Sequence, residues 1–149
     1  MRMTYLVRLI AGAVAALVLS APASGQTSEF VVVVNEANPT TELAREDLAR
    51  IFLKRQVRWS HGTPITAMDQ PEGADVRKAF SVAVHDRSAT AIRAFWQQQI
   101  FSGRDIPPVE KPGDADVMRA VADNVGAIGY VLSGTRLAPG IRAITVIDG

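Results

Sequence analysis

The chain opens with a basic, polar stretch that leads into an uninterrupted apolar run. Arg2 and Arg8 precede residues 9–19 (LIAGAVAALVL), which contain no polar side chain. As a helix this run covers about 17 Å, less than the ~30 Å hydrocarbon core of a bilayer. Small residues in 21–25 (APASG) are typical of signal-peptidase sites. Residues 1–25 are therefore predicted to be a secretory signal peptide, with cleavage after Ala23 or Gly25. The alternative is a membrane anchor that stays attached.

The remaining residues, 26–149, alternate between strand and helix patterns. Residues 30–34 (FVVVV) form a continuous apolar run of β-formers, typical of a central strand covered on both faces, as in a parallel sheet. Apolar residues then recur at helical spacing up to about Leu53, with Thr40 or Thr41 as possible caps. A short strand is predicted over 64–68.

The second half continues the alternation. Three more helices are predicted, one after Gly73, one from near Ser88 and one over 114–124, each with an apolar face expected in the core. These faces are Val76, Ala79, Phe80, Ala83 and Val84; Ile92, Phe95, Trp96 and Ile100; and Val117, Met118, Val121 and Val125. Residues 102–113 hold three prolines and two glycines, which indicates a long loop. Two strands, 127–132 and 141–147, end the chain.

This order of elements predicts an α/β fold in a single domain. We expect three layers, with a mixed sheet of about four or five strands flanked by helices. The length of 149 residues agrees with one domain, and 48% hydrophobic residues are enough for a packed core.

Charge and composition exclude several classes of protein. The full chain carries 16 basic and 15 acidic residues, and without Arg2 and Arg8 the formal charge becomes −1. Such a balance argues against nucleic-acid binding and against strong electrostatic attraction to membrane surfaces. Without cysteine and with only two histidines, neither a disulfide framework nor a Cys/His zinc site is expected.

The sequence offers no recognisable catalytic apparatus. It lacks a nucleophile elbow, a P-loop and a dinucleotide fingerprint, and Ser60 beside His61 in a turn does not define a dyad. We therefore expect no enzymatic activity and no cofactor or metal. Gly126 and Gly129 are interpreted as positions of backbone conformation or close packing, and Tyr130 as a residue on the surface of a strand.

An ordered set of motifs resembles one known family. The segments VVVN, LAREDLARIFL, VRWSHGTPI, VRKAF, FWQQQIFSG and VGAIGYV, spread over residues 30–147, are similar to the phosphate-type periplasmic solute-binding proteins of ABC transporters. Members of that family are two-lobed clamshells and much longer. The resemblance implies a single lobe of the type II periplasmic-binding-protein-like fold, located in the periplasm, with a ligand cleft at the carboxyl ends of its strands.

The resemblance also locates an anion site, although its residues differ. In the family, an Arg ends the strand before the second helix, and Ser-Gly-Thr opens that helix. Matching Arg77 and Phe80 places Asp69 near the first position and residues 74–76 (Ala-Asp-Val) at the triplet. Asp69, Glu72 and Asp75 are interpreted as helix-capping and turn residues, with Asp75 satisfying free N–H groups; a cation site is the alternative.

Candidate ligand contacts follow from this placement. Arg77 could hold an oxyanion or form a surface ion pair, and polar residues after the first strand could face the same cleft. The candidate ligand-binding residues are Asn35, Thr40, Thr41, Asp69, Gly73, Ala74, Asp75 and Arg77.

Two functional hypotheses remain open. The first is a non-catalytic module that binds phosphate or another small oxyanion, weakly or with the help of a partner. The second is an envelope interaction protein that keeps the scaffold without the ligand, docking to a periplasmic or inner-membrane protein. Its candidate partner surface consists of Arg50, Lys54, Arg55 and Arg58, which the alternative interpretation assigns to termination of the first helix.

Overall fold

The computed structural model describes residues 29–149. The predicted signal peptide lies outside these residues. The elements, in chain order, are β1 (Phe30–Asn35), β2 (Glu42–Ala44), α1 (Arg45–Phe52), β3 (Thr66–Asp69), α2 (Asp75–His85), α3 (Ala89–Phe101), β4 (Val109–Glu110), α4 (Asp114–Ala122), β5 (Ala127–Leu132) and β6 (Ile141–Ile147).

The six strands of residues 29–149 form one mixed sheet in the order β2-β6-β1-β5-β3-β4. The predicted count of four or five strands was too low because β2 and β4, of three and two residues, are too short to give an alternating pattern. Strand β1 is central and buried as expected, but it runs antiparallel to both β5 and β6. The parallel pairs are β2 with β6, β3 with β5, and β3 with β4.

Helices cover both faces of the sheet and give the predicted three layers. On one face Phe30, Val32 and Val34 of β1 pack in a core cluster with residues of α1 and α2. On the other face Val33 packs with Val117 and Val121 of α4. Because successive strand residues point to opposite faces, the continuous run FVVVV supplies both cores at once. Helix α3 packs outside α2 and adds to the first layer.

Helix ends show where local patterns were misleading. The first helix begins at Arg45, after β2, and its N-cap is Ala44 without a side-chain hydrogen bond, so neither Thr40 nor Thr41 caps it. In contrast, Ser88 caps α3, since its Oγ accepts a hydrogen bond from the N–H of Ala91 at 3.1 Å. The expected third-helix boundary is thus confirmed.

Three apolar residues predicted in the core are exposed. Ala83, in the last turn of α2, is exposed; Ile100, at the end of α3, is 50% exposed, and Val125, after α4, is 49% exposed. All three lie at or beyond the last turn of a helix, where the helix face continues past the surface that covers it.

The glycines of the fifth-strand motif have the packing role expected of them. A Cβ on Gly126 would lie 2.0 Å from the carbonyl oxygen of Pro64, and one on Gly129 would lie 2.6 Å from a methyl group of Val117. Trp59 also holds the segment before β5 in place, since its Nε1 donates a hydrogen bond to the carbonyl of Gly126 at 3.0 Å. Within residues 29–149, none of the helices has the length and apolar character needed to cross a bilayer.

Candidate functional site

A buried ion pair lies at the carboxyl end of β3. Asp69 is the last residue of that strand, and Nη1 of Arg77, in α2, lies 2.9 Å from its Oδ1. The two side chains are 9% and 7% exposed. The same Nη1 donates to the carbonyl oxygen of Gln70 at 2.7 Å. Arg77 is therefore neither a surface ion pair nor a free guanidinium, because its charge is already matched by Asp69.

Tyr130 completes this cluster from the neighbouring strand. Its ring is fully buried and stacks on Phe80 with centroids 3.9 Å apart, and its hydroxyl donates to Oδ1 of Asp69. The expectation that Tyr130 lies on a strand surface was wrong. The central position of β5 buries both faces of the strand, so the tyrosine points into the core cluster beneath α2.

Gln70 ties the pair to the start of α4. Its Nε2 donates to the carbonyl of Tyr130 at 2.9 Å and to Oδ1 of Asp114 at 2.7 Å, while its backbone N–H donates to Oδ1 of Asp69 at 2.9 Å. The Asp69 carboxylate thus has a cation, a hydroxyl and a backbone donor around it. This is the kind of satisfied, buried polar network that holds its members in one geometry.

The ionisation of the cluster follows from its burial. Desolvation raises the pKa of Asp69 above 3.8, and the Arg77 charge, the Tyr130 hydroxyl and the Gln70 N–H all act in the opposite direction. The pKa of Tyr130 is raised well above 10 by burial and by the neighbouring Asp69 charge. Tyr130 therefore keeps its proton and acts as a hydrogen-bond donor to Asp69.

A cavity of about 230 Å³ borders the ion pair. Its polar side includes Asp69, Arg77 and Glu110, and its apolar side includes Trp96 of α3 and Pro108. Arg77 has two side-chain contacts with residues 29–149, the ion pair with Asp69 and the hydrogen bond to the Gln70 carbonyl, and Nη1 makes both. The volume suits a small solute.

The N-terminus of α2, beside this cavity, has no side-chain cap. Its N-cap is Ala74, and the side chain of Asp75 is 98% exposed and 3.9 Å from Lys78. The expectation that Asp75 satisfies the free N–H groups was therefore wrong, because its carboxylate points to solvent. Around Gly73 nothing lies within 4 Å of a Cβ position. The first turn thus offers backbone donors and the positive end of the helix dipole.

Glu72, the third acid of this segment, contacts two residues of α3. Glu72 accepts a hydrogen bond from Oγ1 of Thr90 at 2.9 Å and lies 3.1 Å from Nη1 of Arg93. Asp69, Glu72 and Asp75 consequently face three different cations. In the part of the chain that the structure covers, no group of three or more acidic or histidine side chains is arranged to hold a metal ion.

Residues predicted after the first strand do not join this cluster. Nδ2 of Asn35 donates to the carbonyls of Val121 and Ala122, both at 3.0 Å, and so closes the end of α4. Thr40 and Thr41 meet β6, where their carbonyls accept from Arg142 and from the N–H of Thr145. Because β1 runs opposite to β5 and β5 is parallel to β3, the carboxyl ends of β1 and β3 point to opposite edges of the sheet.

The four predicted partner-surface residues lie at and after the end of α1. Arg50 is 3.1 Å from Asp47, and Lys54 is 3.9 Å from Asp105. Nη1 of Arg58 donates to the carbonyl of Gly62 at 3.0 Å. Arg55 is exposed. Half of the expected positive charge is thus balanced by nearby acids.

A second set of polar atoms lies buried without partners on α2. Within residues 29–149, Oγ of Ser81 and Nδ1 of His85, one turn apart, have no hydrogen-bond partner. Burial lowers the pKa of His85 to about 4, assisted by the charges of Arg77 and Arg87. The imidazole is therefore neutral at pH 7.

Sequence reasoning missed several members of the site. They are Gln70, Arg93, Trp96, Glu110, Asp114 and Tyr130. Only Tyr130 gave a signal in the sequence. It lies within a six-residue strand between Gly129 and Val131, a setting that is as typical of a buried tyrosine as of one on the strand surface. Gln70 directly follows β3, whereas the others come from α3, from β4, which pairs with β3, and from the start of α4, so they meet only in the folded chain.

The chain resembles known proteins in fold rather than in sequence. No protein-family model and no curated protein sequence matches the chain. Solved structures do match.

Three of the similar structures are phosphate receptors by description. One is an ABC-type phosphate transport receptor from Vibrio cholerae, with 19% identity and a TM-score of 0.61, covering 79% of this chain and 46% of that one. Another is a putative phosphate ABC transporter substrate-binding protein with bound phosphate from Clostridium perfringens, with 18% identity, a TM-score of 0.62 and coverages of 79% and 44%.

The third is a possible phosphate binding protein from Planctomyces limnophilus, with 18% identity, a TM-score of 0.61 and coverages of 81% and 42%. This chain therefore spans less than half the length of the receptors that it resembles. At such identities the comparison establishes the fold, and the type of fold expected from the motifs is confirmed.

Proposed function

We propose that the chain is a non-catalytic solute-binding module of the periplasm, which binds phosphate or another small oxyanion weakly or together with a partner. The uncapped N-terminus of α2 carries this proposal. Ala74 offers no acceptor to the first-turn N–H groups, and such a helix end is a favourable place for an anion. The fold shared with phosphate receptors supports the same function.

The electrostatics of the site explain why binding would be weak. Asp69 neutralises Arg77, Glu72 neutralises Arg93, and the exposed Asp75 and Glu110 lie near the helix end and the cavity. A ligand on one open domain also stays close to bulk water, where a charge pair at 4 Å gives only ~1 kcal/mol. A second protein that covers the helix end would exclude this water and strengthen the contacts.

The test is to give the helix end its own acceptor. In the variant Ala74→Asp the new carboxylate caps α2, which we expect to stabilise the protein by about 0.5–2 kcal/mol in urea denaturation and to abolish oxyanion binding. Isothermal titration of phosphate and sulfate into the wild-type protein, at millimolar ligand, provides the reference affinity. No heat from the wild-type protein would refute solute binding.

Gly113→Asp is the matched control. Gly113 is the N-cap of α4, also lacks a side-chain cap, has an extended backbone and has open space at its Cβ position. This variant should gain stability in the same way and keep the oxyanion affinity of the wild type. Equal losses of affinity in both variants would show that added negative charge, rather than the α2 terminus, determines binding.

A second function is favoured by the Asp69–Arg77 pair. Because the pair satisfies its own charges, the scaffold can persist without a ligand and serve as an envelope interaction protein. Charge reversal of the exposed Arg55 should then reduce the amount of a partner protein that is recovered by crosslinking from envelope fractions. A measurable ligand affinity without any stable partner would count against this second function.

Export is part of the proposal and has its own measurement. Residues 1–25 would direct the chain to the periplasm and be removed there. Osmotic-shock fractionation with intact-mass measurement should find a protein that begins at Ser24 or Gln26. A cytoplasmic protein that keeps Met1 would refute it.

A further inference from the structure

The end of α3 forms an exposed apolar protrusion, here called the α3 tip and defined by Ile100, Phe101, Gly103, Arg104 and Ile106. Phe101 is 90% exposed and Ile106 is 65% exposed. Gly103 reverses the chain with φ +66°, and nothing lies within 4 Å of its Cβ position. The tip is thus convex and open to solvent, unlike the bordered cavity next to it.

The apolar residues of the tip belong to one surface. Ile100 lines the same cavity wall as Pro107 and Pro108, and Ile106 directly precedes these prolines. Phe101 is the last residue of α3 and follows Ile100. Large apolar side chains grouped on a protrusion are costly to leave in water, and they usually mark a protein or membrane contact.

Basic side chains lie within this tip and on one side of it. Arg104 lies between the two apolar parts, and Lys54 is held 3.9 Å from Asp105, which brings the end of α1 and the adjacent exposed Arg55 to the same side. Asp105 is the one acid of residues 100–106, and its Oδ1 is also used by the N–H of Ile106. Counting the exposed Glu110, which lines the same cavity as Ile100, the surroundings of the tip hold three basic and two acidic side chains, a small positive excess in a chain that is nearly neutral as a whole.

We infer that the α3 tip inserts Phe101 and Ile106 into the interface of an anionic lipid bilayer. A convex apolar tip with a basic rim fits a headgroup layer, whose phosphates meet the cations while the apolar side chains enter the acyl boundary. These residues do not form an apolar groove that could receive a peptide. The small net charge of the chain gave no indication of attraction to anionic lipids. That attraction comes from the basic residues that the fold brings near the α3 tip.

Vesicle flotation tests the inference directly. The protein isolated from the cell envelope, with its N-terminus defined by intact mass, is mixed with vesicles of phosphatidylcholine alone or of phosphatidylcholine and phosphatidylglycerol. We expect it to float with the anionic vesicles and to be released by high salt. Phe101→Ser should weaken binding at least about tenfold, since burial of a Phe side chain contributes that much or more to a partition constant.

Matched variants separate the tip from general surface properties. Val82→Ser removes a valine that is 58% exposed on α2, and Arg119→Glu reverses an exposed charge on α4; both should bind vesicles within about twofold of the wild type. Arg104→Glu should weaken binding to anionic vesicles only. Any common N-terminal contribution cancels, because all variants share it.

Three results would overturn the inference. One is a wild-type protein that does not float, and another is an equal loss in Phe101→Ser and Val82→Ser. The third is concentration-dependent dimerisation in sedimentation velocity that Phe101→Ser abolishes without any vesicle binding, which would assign the tip to a second copy of the chain.

Discussion

Replacement of Arg77 by methionine tests how the buried pair contributes to stability. Methionine keeps most of the length of the side chain and removes the charge and the donor to the Gln70 carbonyl. Since Asp69 is buried, the variant leaves a buried carboxylate without its cation. Removal of one partner of such a pair typically costs about 3–5 kcal/mol, and we expect a loss of this size at pH 7 in urea denaturation followed by tryptophan fluorescence.

The double variant Asp69→Asn/Arg77→Met should be more stable than Arg77→Met alone. With no charge left to bury, the interaction energy of the cycle is expected to be about 2–3 kcal/mol. Arg119→Met is the control for loss of an exposed arginine, which lies 3.3 Å from Asp116, and should cost less than about 0.5 kcal/mol. An additive cycle would refute the assignment of the pair as a coupled unit.

Acid should reduce the defect of Arg77→Met. The pKa of Asp69 is raised by burial and lowered by Arg77, so the variant raises it further. A carboxyl whose folded pKa lies above its unfolded value of 3.8 destabilises the fold by an amount that grows as pH rises from 3.8 to the folded pKa and is constant above it. The difference between variant and parent should therefore shrink as the pH is lowered from 7 towards 3.8, measured in a His85→Gln background to remove the titration of that residue. A pH-independent difference would contradict the argument.

Three further outcomes follow from single contacts. Because folding lowers the pKa of His85 from 6.5 to about 4, acid protonates this residue in the unfolded chain before it does so in the folded protein. The free energy of unfolding should therefore fall by up to about 3 kcal/mol between pH 6.5 and 4. Urea titrations at both pH values should show a smaller loss in His85→Gln. Gly126→Ala should cost about 1–3 kcal/mol in thermal denaturation, since its methyl group would meet the Pro64 carbonyl at 2.0 Å; no loss would refute this close packing. Trp59→Phe should cost about 0.5–1.5 kcal/mol in urea, because the carbonyl of Gly126 loses one of its two donors and keeps the N–H of Thr66; an unchanged midpoint would refute this contribution.

Elements with a strong hydrophobic period were predictable from sequence. The central strand at residues 30–34 and the last two strands appear where the pattern indicated them, and α2 and α3 present their expected apolar residues for most of their length. Strand direction was not predictable, because burial on both faces produces the same continuous run in parallel and antiparallel neighbours. The short edge strands gave no period to detect.

The candidate site was only partly predictable for a topological reason. Asp69 and Arg77 lie eight residues apart and meet because β3 leads directly into α2. Tyr130 comes from sixty-one residues beyond Asp69 and meets it through pairing of β3 with β5. Asn35 was placed in the same cleft on the assumption of parallel strands, and the antiparallel direction of β1 moves it to another edge. Local sequence carries no information on such long-range pairing.

The position of β1 has a consequence for how the molecule is made. Among the strands of residues 29–149, β1 is synthesised first and its two neighbours, β5 and β6, are synthesised last, so neither side of residues 30–34 is paired before those strands have been made. Such non-local pairing slows folding, and it leaves the valine-rich and aggregation-prone residues 30–34 exposed to solvent during synthesis. In a nascent chain of this topology β1 has no partner on one side until residues 141–147 have been made, and a chain that is still unfolded is what a narrow translocation pore can pass.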